Sequence, residues 1–82
     1  PTITVVAPDD TNDTTPTITG HSDQTNATVT LTVTDANGDT QTFTTTTDAN
    51  GDYSVDVPTA LPEGSYDVSA KVEDEAGNEA NA

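Results

Sequence analysis

Three carboxylates and one amide, Asp9, Asp10, Asn12 and Asp13, fall within five residues of the run Asp9-Asp10-Thr11-Asn12-Asp13-Thr14-Thr15-Pro16. Closely spaced aspartates, asparagines and main-chain carbonyls suit a hard cation such as Ca²⁺, which takes about six to eight oxygen ligands. Two further acidic runs are identical: Asp35-Ala36-Asn37-Gly38-Asp39 and Asp48-Ala49-Asn50-Gly51-Asp52. A third, Asp74-Glu75-Ala76-Gly77-Asn78, is close to them. The paired runs resemble part of a calcium loop, but that loop places its glycine at about position six, and here it stands fourth. They read first as hairpin closures, because Asn and Gly both tolerate positive φ. The candidate ligands are Asp9, Asp10, Asp13, Asp35, Asp48, Asp74 and Glu75, with Ca²⁺ as the expected cofactor.

The charge balance favours a cation. Fifteen acidic side chains face one lysine, a formal net charge of −14 over 82 residues. Such a field repels nucleic acid and anionic membrane surfaces, and strains the compact state unless counter-ions neutralise part of it. There are no cysteines, so the disulfides that staple many small domains are absent. A metal, an oligomer or a neighbouring domain is left to help a core of this size. The sequence shows no leader, lipidation motif or membrane-length apolar run. Pro1 opens straight onto a strand pattern, so the chain reads as one unit of something longer.

Catalysis finds no support in these residues. No thiol is available, and Ser22, Ser54, Ser65 and Ser69 have no histidine base in a recognisable arrangement. His21, the single histidine, reads as an exposed loop residue. Paired carboxylates acting as in a glycosidase need a cleft, for which so small a domain has little room.

The elements that position the acids are strands. Val29, Leu31 and Val33 alternate with threonines over residues 28–34, the clearest period-two pattern in the chain. Further strands are expected around Ile3 and Val5 and over residues 16–20, 40–47, 53–57 and 66–73, with turn signals about every ten residues. Residues 40–47 carry only Phe43 as a large apolar residue and read as an edge strand. Tyr66 fits the tyrosine corner of Greek-key sandwiches. No helical period is present. The expected fold is one all-β domain over residues 1–82, a Greek-key β-sandwich of about seven short strands. Alternating strand directions then put Asp9, Asp10, Asp13, Asp35 and Glu63 at one end. Asp23, Asp48, Asp74 and Glu75 fall at the other.

Four segments in order carry a resemblance: residues 12–20, Asp48 to Val55, Leu61-Pro62-Glu63-Gly64-Ser65-Tyr66, and Glu73 to Asn78. Together they closely resemble the bacterial Ig-like repeats of very large surface adhesins of the biofilm-associated and RTX type. The resemblance implies an Ig-like sandwich, tandem repetition, an extracellular setting, and calcium stiffening the junctions between repeats. It also implies that the Asp13 and Asp74 positions are ligands or neighbours of ligands. The tandem repetition it implies makes neighbouring repeats of the same chain the expected partners. The module itself is expected to be monomeric, and the charge argues against nucleic acid and direct membrane contact. A final strand after Asn78 looks truncated against the family pattern. Asp10-Thr11-Asn12-Asp13-Thr14-Thr15-Pro16 also shares chemistry with the calcium linkers of cadherins, with Thr14 in place of their last Asn. The function expected is that of a spacer projecting a distal binding region from the cell. The alternative is a ligand-binding module whose threonine rows meet carbohydrate or ice.

Overall fold

Strict alternation of threonine with Val29, Leu31 and Val33 leaves one wet and one dry face, and the dry residues are fully buried. That strand is the one the rest assembles on. The computed structural model describes residues 1–7, 14–62 and 65–82. Among them are six strands: β1 (Thr17–His21), β2 (Thr28–Thr34), β3 (Thr40–Thr46), β4 (Asp52–Asp56), β5 (Asp67–Glu73) and β6 (Glu79–Asn81). One sheet has the order β3-β2-β5-β6 and the other pairs β1 with β4, all antiparallel. The N-terminal residues add a seventh extended segment, bridging to β1 at Val6↔Thr19 and to the residue just after it at Ile3↔Ser22.

The core lies between the sheets. Ile18 and Tyr53 come from the small sheet, Val57 from just beyond β4, and Val29, Leu31, Val33, Ala70 and Val72 from the large one. Each buried aliphatic side chain contributes about 1.5–3 kcal/mol against the conformational entropy lost on ordering the chain. Ile3, Val5 and Ala7 pack on this core from the N-terminal segment, half-buried. The sandwich architecture agrees with the alternation, and β3 is the expected edge strand, its Phe43 half-buried opposite Leu31.

Two details sharpen the sequence reading. Beyond Asn78 the chain forms β6, and Ala82 then exchanges two backbone hydrogen bonds with Ala70, at 2.9 and 3.0 Å. Three residues carrying one small apolar side chain give too weak a period to mark this short final strand by alternation alone. Tyr66 stands just before β5 and is half-buried, whereas Tyr53 is the buried tyrosine.

On the outward face of β2 and β3, threonines meet in four cross-strand pairs: Thr28↔Thr46, Thr30↔Thr44, Thr32↔Thr42 and Thr34↔Thr40. The Thr32 and Thr42 hydroxyls are 3.5 Å apart. The molecule measures 38 Å along its longest axis. Successive strands alternate in direction, so the turns collect at two opposite ends.

Candidate functional site

The three acidic turns share one construction. The Asp35 Oδ1 accepts the backbone N–H groups of Asn37 and Asp39, at 2.9 and 3.0 Å. The Asp48 Oδ1 accepts those of Asn50 and Asp52, at 2.8 and 3.0 Å. The Asp74 Oδ1 accepts those of Ala76 and Asn78, both at 2.9 Å. In each turn the glycine N–H donates to the carbonyl of the first aspartate, at 3.0, 3.0 and 3.1 Å. Gly38, Gly51 and Gly77 all hold φ near +84°, at 83°, 83° and 85°. Each is therefore a three-residue loop, a type I turn followed by a left-handed glycine. The expectation that Asn and Gly would both take positive φ is corrected by this. Asn37 and Asn50 do not, and Asn26 (φ 52°) is the one such non-glycine among the described residues. The first aspartate of each run accepts, through Oδ1, two N–H groups of its own turn.

One oxygen of each turn aspartate is thus committed to the backbone, and the second is what remains for a cation. At Asp74 even that oxygen accepts a hydrogen bond, from Asn78 Nδ2 at 3.1 Å. The Asn78 side chain and backbone, and then the Ala76 N–H, hold the Asp74 carboxyl below its usual range.

The turns divide between the ends as the alternation requires. Asp35 and Asp39 line a shallow recess of about 500 Å³ with Gln41, Thr59 and Pro62. Gln41 closes its side, exchanging hydrogen bonds with the Thr59 backbone at 3.1 and 3.2 Å. At the opposite end lie Asp23, Asp48, Asp52, Asp74 and Glu75. A second recess there, about 420 Å³, runs from Asn26 to Asp74 and Glu75 and includes Lys71, the chain's one lysine. Its Nζ lies 3.6 Å from Glu73 and 3.7 Å from Glu79.

Among the described residues, no three acids or histidines converge where one metal ion could be held. Asp35 is at one end, while Asp48, Asp74 and Glu75 are at the other without meeting. Asp9, Asp10 and Asp13 lie outside the described residues. Taken alone, the described acids fit a partial ligand set rather than a closed cage of about six to eight oxygens.

Several polar roles escaped the sequence. Asp23 takes the Thr2 N–H at 2.9 Å, and this, with Gln24, lowers its carboxyl below the usual value. His21 Nδ1 lies 2.8 Å from Asp52 Oδ1 because the strand register sets them opposite. Ser22, in a stretch that reads as polar loop, is buried; its hydroxyl donates to the Thr2 carbonyl at 2.6 Å. Buried Thr47 receives the Ala27 N–H at 2.8 Å. Each partner is about twenty or more residues away, so spacing along the chain carried no signal.

Two antiparallel sheets in this order, closed by short turns, define an Ig-like sandwich. The chain matches the bacterial Ig-like domain profile over residues 5–82 and belongs to that family. It is also similar to the crystal structure of a tetra-tandem repeat in the extending region of a large adhesion protein, with 33% identity and a TM-score of 0.76. That likeness covers 99% of this chain and 22% of the other. Comparison with curated proteins gives no match.

Proposed function

We propose that the chain is an extender module of a bacterial cell-surface adhesin, joined end to end with similar modules and binding Ca²⁺ at its acidic ends. The observation that carries this is the direction of its first and last strands. The N-terminal segment starts beside Ser22 and Asp23 at one end, and β6 leaves the 74–78 turn at that same end, running toward the other. A chain passing through therefore enters at one end and heads for the opposite one, as a linear array requires. The similarity to a tandem repeat from an extending region supports the same reading.

Its role is mechanical and spatial: it holds a distal binding region away from the cell, outside it. A junction would bring Asp35 and the Asp9–Asp13 run of one module toward Asp48, Asp74 and Glu75 of the next. Among the described residues the acids at neither end make a cage, and acids from two facing ends would together come closer to the oxygen count calcium takes. Bound calcium supplies positive charge that offsets the repulsion between facing acidic ends. Extracellular modules bind Ca²⁺ with dissociation constants of about 10⁻⁴–10⁻³ M, so occupancy would follow the calcium of the surroundings.

The test is thermal melting of one module and of two linked modules, in calcium and in chelator, with small-angle scattering of the pair. Calcium should raise the melting temperature and lengthen the pair. An array whose melting and extension both ignore chelator would rule the calcium reading out and leave a metal-independent spacer.

A further inference from the structure

The identical runs at 35–39 and 48–52 are a natural pair for comparing one chemistry in two settings. We infer that Asn37–Gly38 is a site of spontaneous deamidation and isoaspartate formation in the folded protein, while Asn50–Gly51 is protected.

The reaction needs no catalyst. The Gly38 backbone nitrogen, having lost its proton, attacks the Asn37 side-chain Cγ. A C–N bond forms, the side-chain amide nitrogen leaves as ammonia, and a five-membered succinimide results. Water then opens the ring at either carbonyl, giving aspartate or isoaspartate. The balance is asparagine plus water to acid plus ammonia, with no redox change. Glycine favours the step because no side chain crowds the attacking nitrogen.

Local sequence does not separate the two sites. Both lie in Asp-Ala-Asn-Gly-Asp, in the same turn, with the glycine N–H held by the aspartate carbonyl at 3.0 Å. Ring closure requires that bond to break and the asparagine backbone to rotate, so each turn must open. At Gly38 this opens only the end of the β2–β3 hairpin. Gly38 and Asn37 are exposed, and a Cβ at Gly38 would meet nothing within 4 Å.

At Gly51 the surroundings resist. Gly51 is buried, its carbonyl accepts the Ser22 N–H at 2.8 Å, and a Cβ there would collide with the Ser22 carbonyl oxygen. The Asp48 carbonyl also receives the Asn26 N–H at 3.4 Å. This turn joins β3 in one sheet to β4 in the other, so opening it loosens the sandwich. The extra hydrogen bonds lost at Gly51 make its opening rarer, by at least about tenfold.

Modification would add negative charge at the Asp35 end. As isoaspartate it would also lengthen the backbone within the turn and displace the N–H groups that Asp35 holds.

The test incubates the whole 82-residue chain, folded and in denaturant, at mildly alkaline pH. Peptide mapping by mass spectrometry with isoaspartate detection follows both asparagines. In the folded protein Asn37 should convert at least about tenfold faster than Asn50, and in denaturant the two rates should come together. Gly38→Ala should slow conversion at residue 37 in both states. Equal rates in the folded protein, a faster Asn50, or conversion of Asn37 only after unfolding would each overturn the assignment.

Discussion

The Tyr53 hydroxyl donates a 2.6 Å hydrogen bond to the Thr4 carbonyl across the face of Gly20. Tyr53 belongs to β4 and Thr4 to the N-terminal segment, so one side chain reaches over β1 to fasten the segment beyond it. Removing the hydroxyl in Tyr53→Phe should cost about 1–2 kcal/mol in urea unfolding, since Thr4 loses a part-buried donor. Amide exchange at Thr4 and Val6 should quicken, while β2 and β5 amides keep their protection.

The same contact gives an alkaline signature. Burial pushes the Tyr53 phenol from 10.0 up to about 12. The unfolded chain thus loses this proton at lower pH than the folded one, so folding stability falls as pH rises from about 10 to about 12. Tyr53→Phe should flatten that part of the stability profile. An unchanged slope would show that the phenol is not its source.

Gly20 exists to admit this contact. A Cβ there would collide with the Thr4 carbonyl oxygen and the Tyr53 ring, so Gly20→Ala should destabilise by about 1–3 kcal/mol as overpacking does. The turn glycines make a sharper comparison. Gly38→Ala meets open space and incurs only the left-handed strain, about 1–2 kcal/mol. Gly51→Ala adds the collision with Ser22 to the same φ of 83°, for about 1–3 kcal/mol more. Matched urea midpoints for the two variants would refute this account of the β3–β4 turn.

At acid pH the same N-terminal segment should loosen from its other anchor. Asp23 is held below its usual 3.8 first by the Thr2 N–H and then by Gln24, and Asp74 by Asn78 and Ala76. Both folded values are depressed, so their contribution is complete above the unfolded value and is lost as pH falls through the folded one. Relief of the overall negative charge acts in the opposite sense on global stability. Local exchange therefore reads the effect more cleanly. Below pH 3.8 the Thr2, Ala76 and Asn78 amides should lose protection early, and Asp23→Asn should release Thr2 already at neutral pH.

Legibility followed the range over which each interaction acts. The alternation of residues 28–34 located β2 and made it central, because a period of two follows directly from pleat geometry. The glycines of 35–39, 48–52 and 74–78 marked their turns, since only the immediate chain decides them. The partners of Asp23, Ser22, Thr47 and Tyr53 were hidden, because sheet order and register choose them. The acids were partly legible. Their division between two ends follows from strand alternation, but the commitment of Asp35, Asp48 and Asp74 to backbone N–H groups appears only when the turns are built.

Screening and binding make separable predictions for the −14 charge. Sodium chloride shortens the reach of every exposed charge, to a Debye length of about 10 Å at 0.1 M, and should stabilise one module and a linked pair alike. Calcium held between two ends would act on the pair beyond screening. At tenfold excess over its dissociation constant, one such ion adds about 1.4 kcal/mol. At matched ionic strength, calcium should therefore raise the pair's melting temperature above the sodium value, with little difference for the single module. Asp13→Ala or Asp74→Ala placed at the junction should remove that excess while leaving the sodium response intact. If calcium and sodium act equally on the pair, the acids are screened rather than ligated, and the ends of the module serve solubility and spacing without a bound ion.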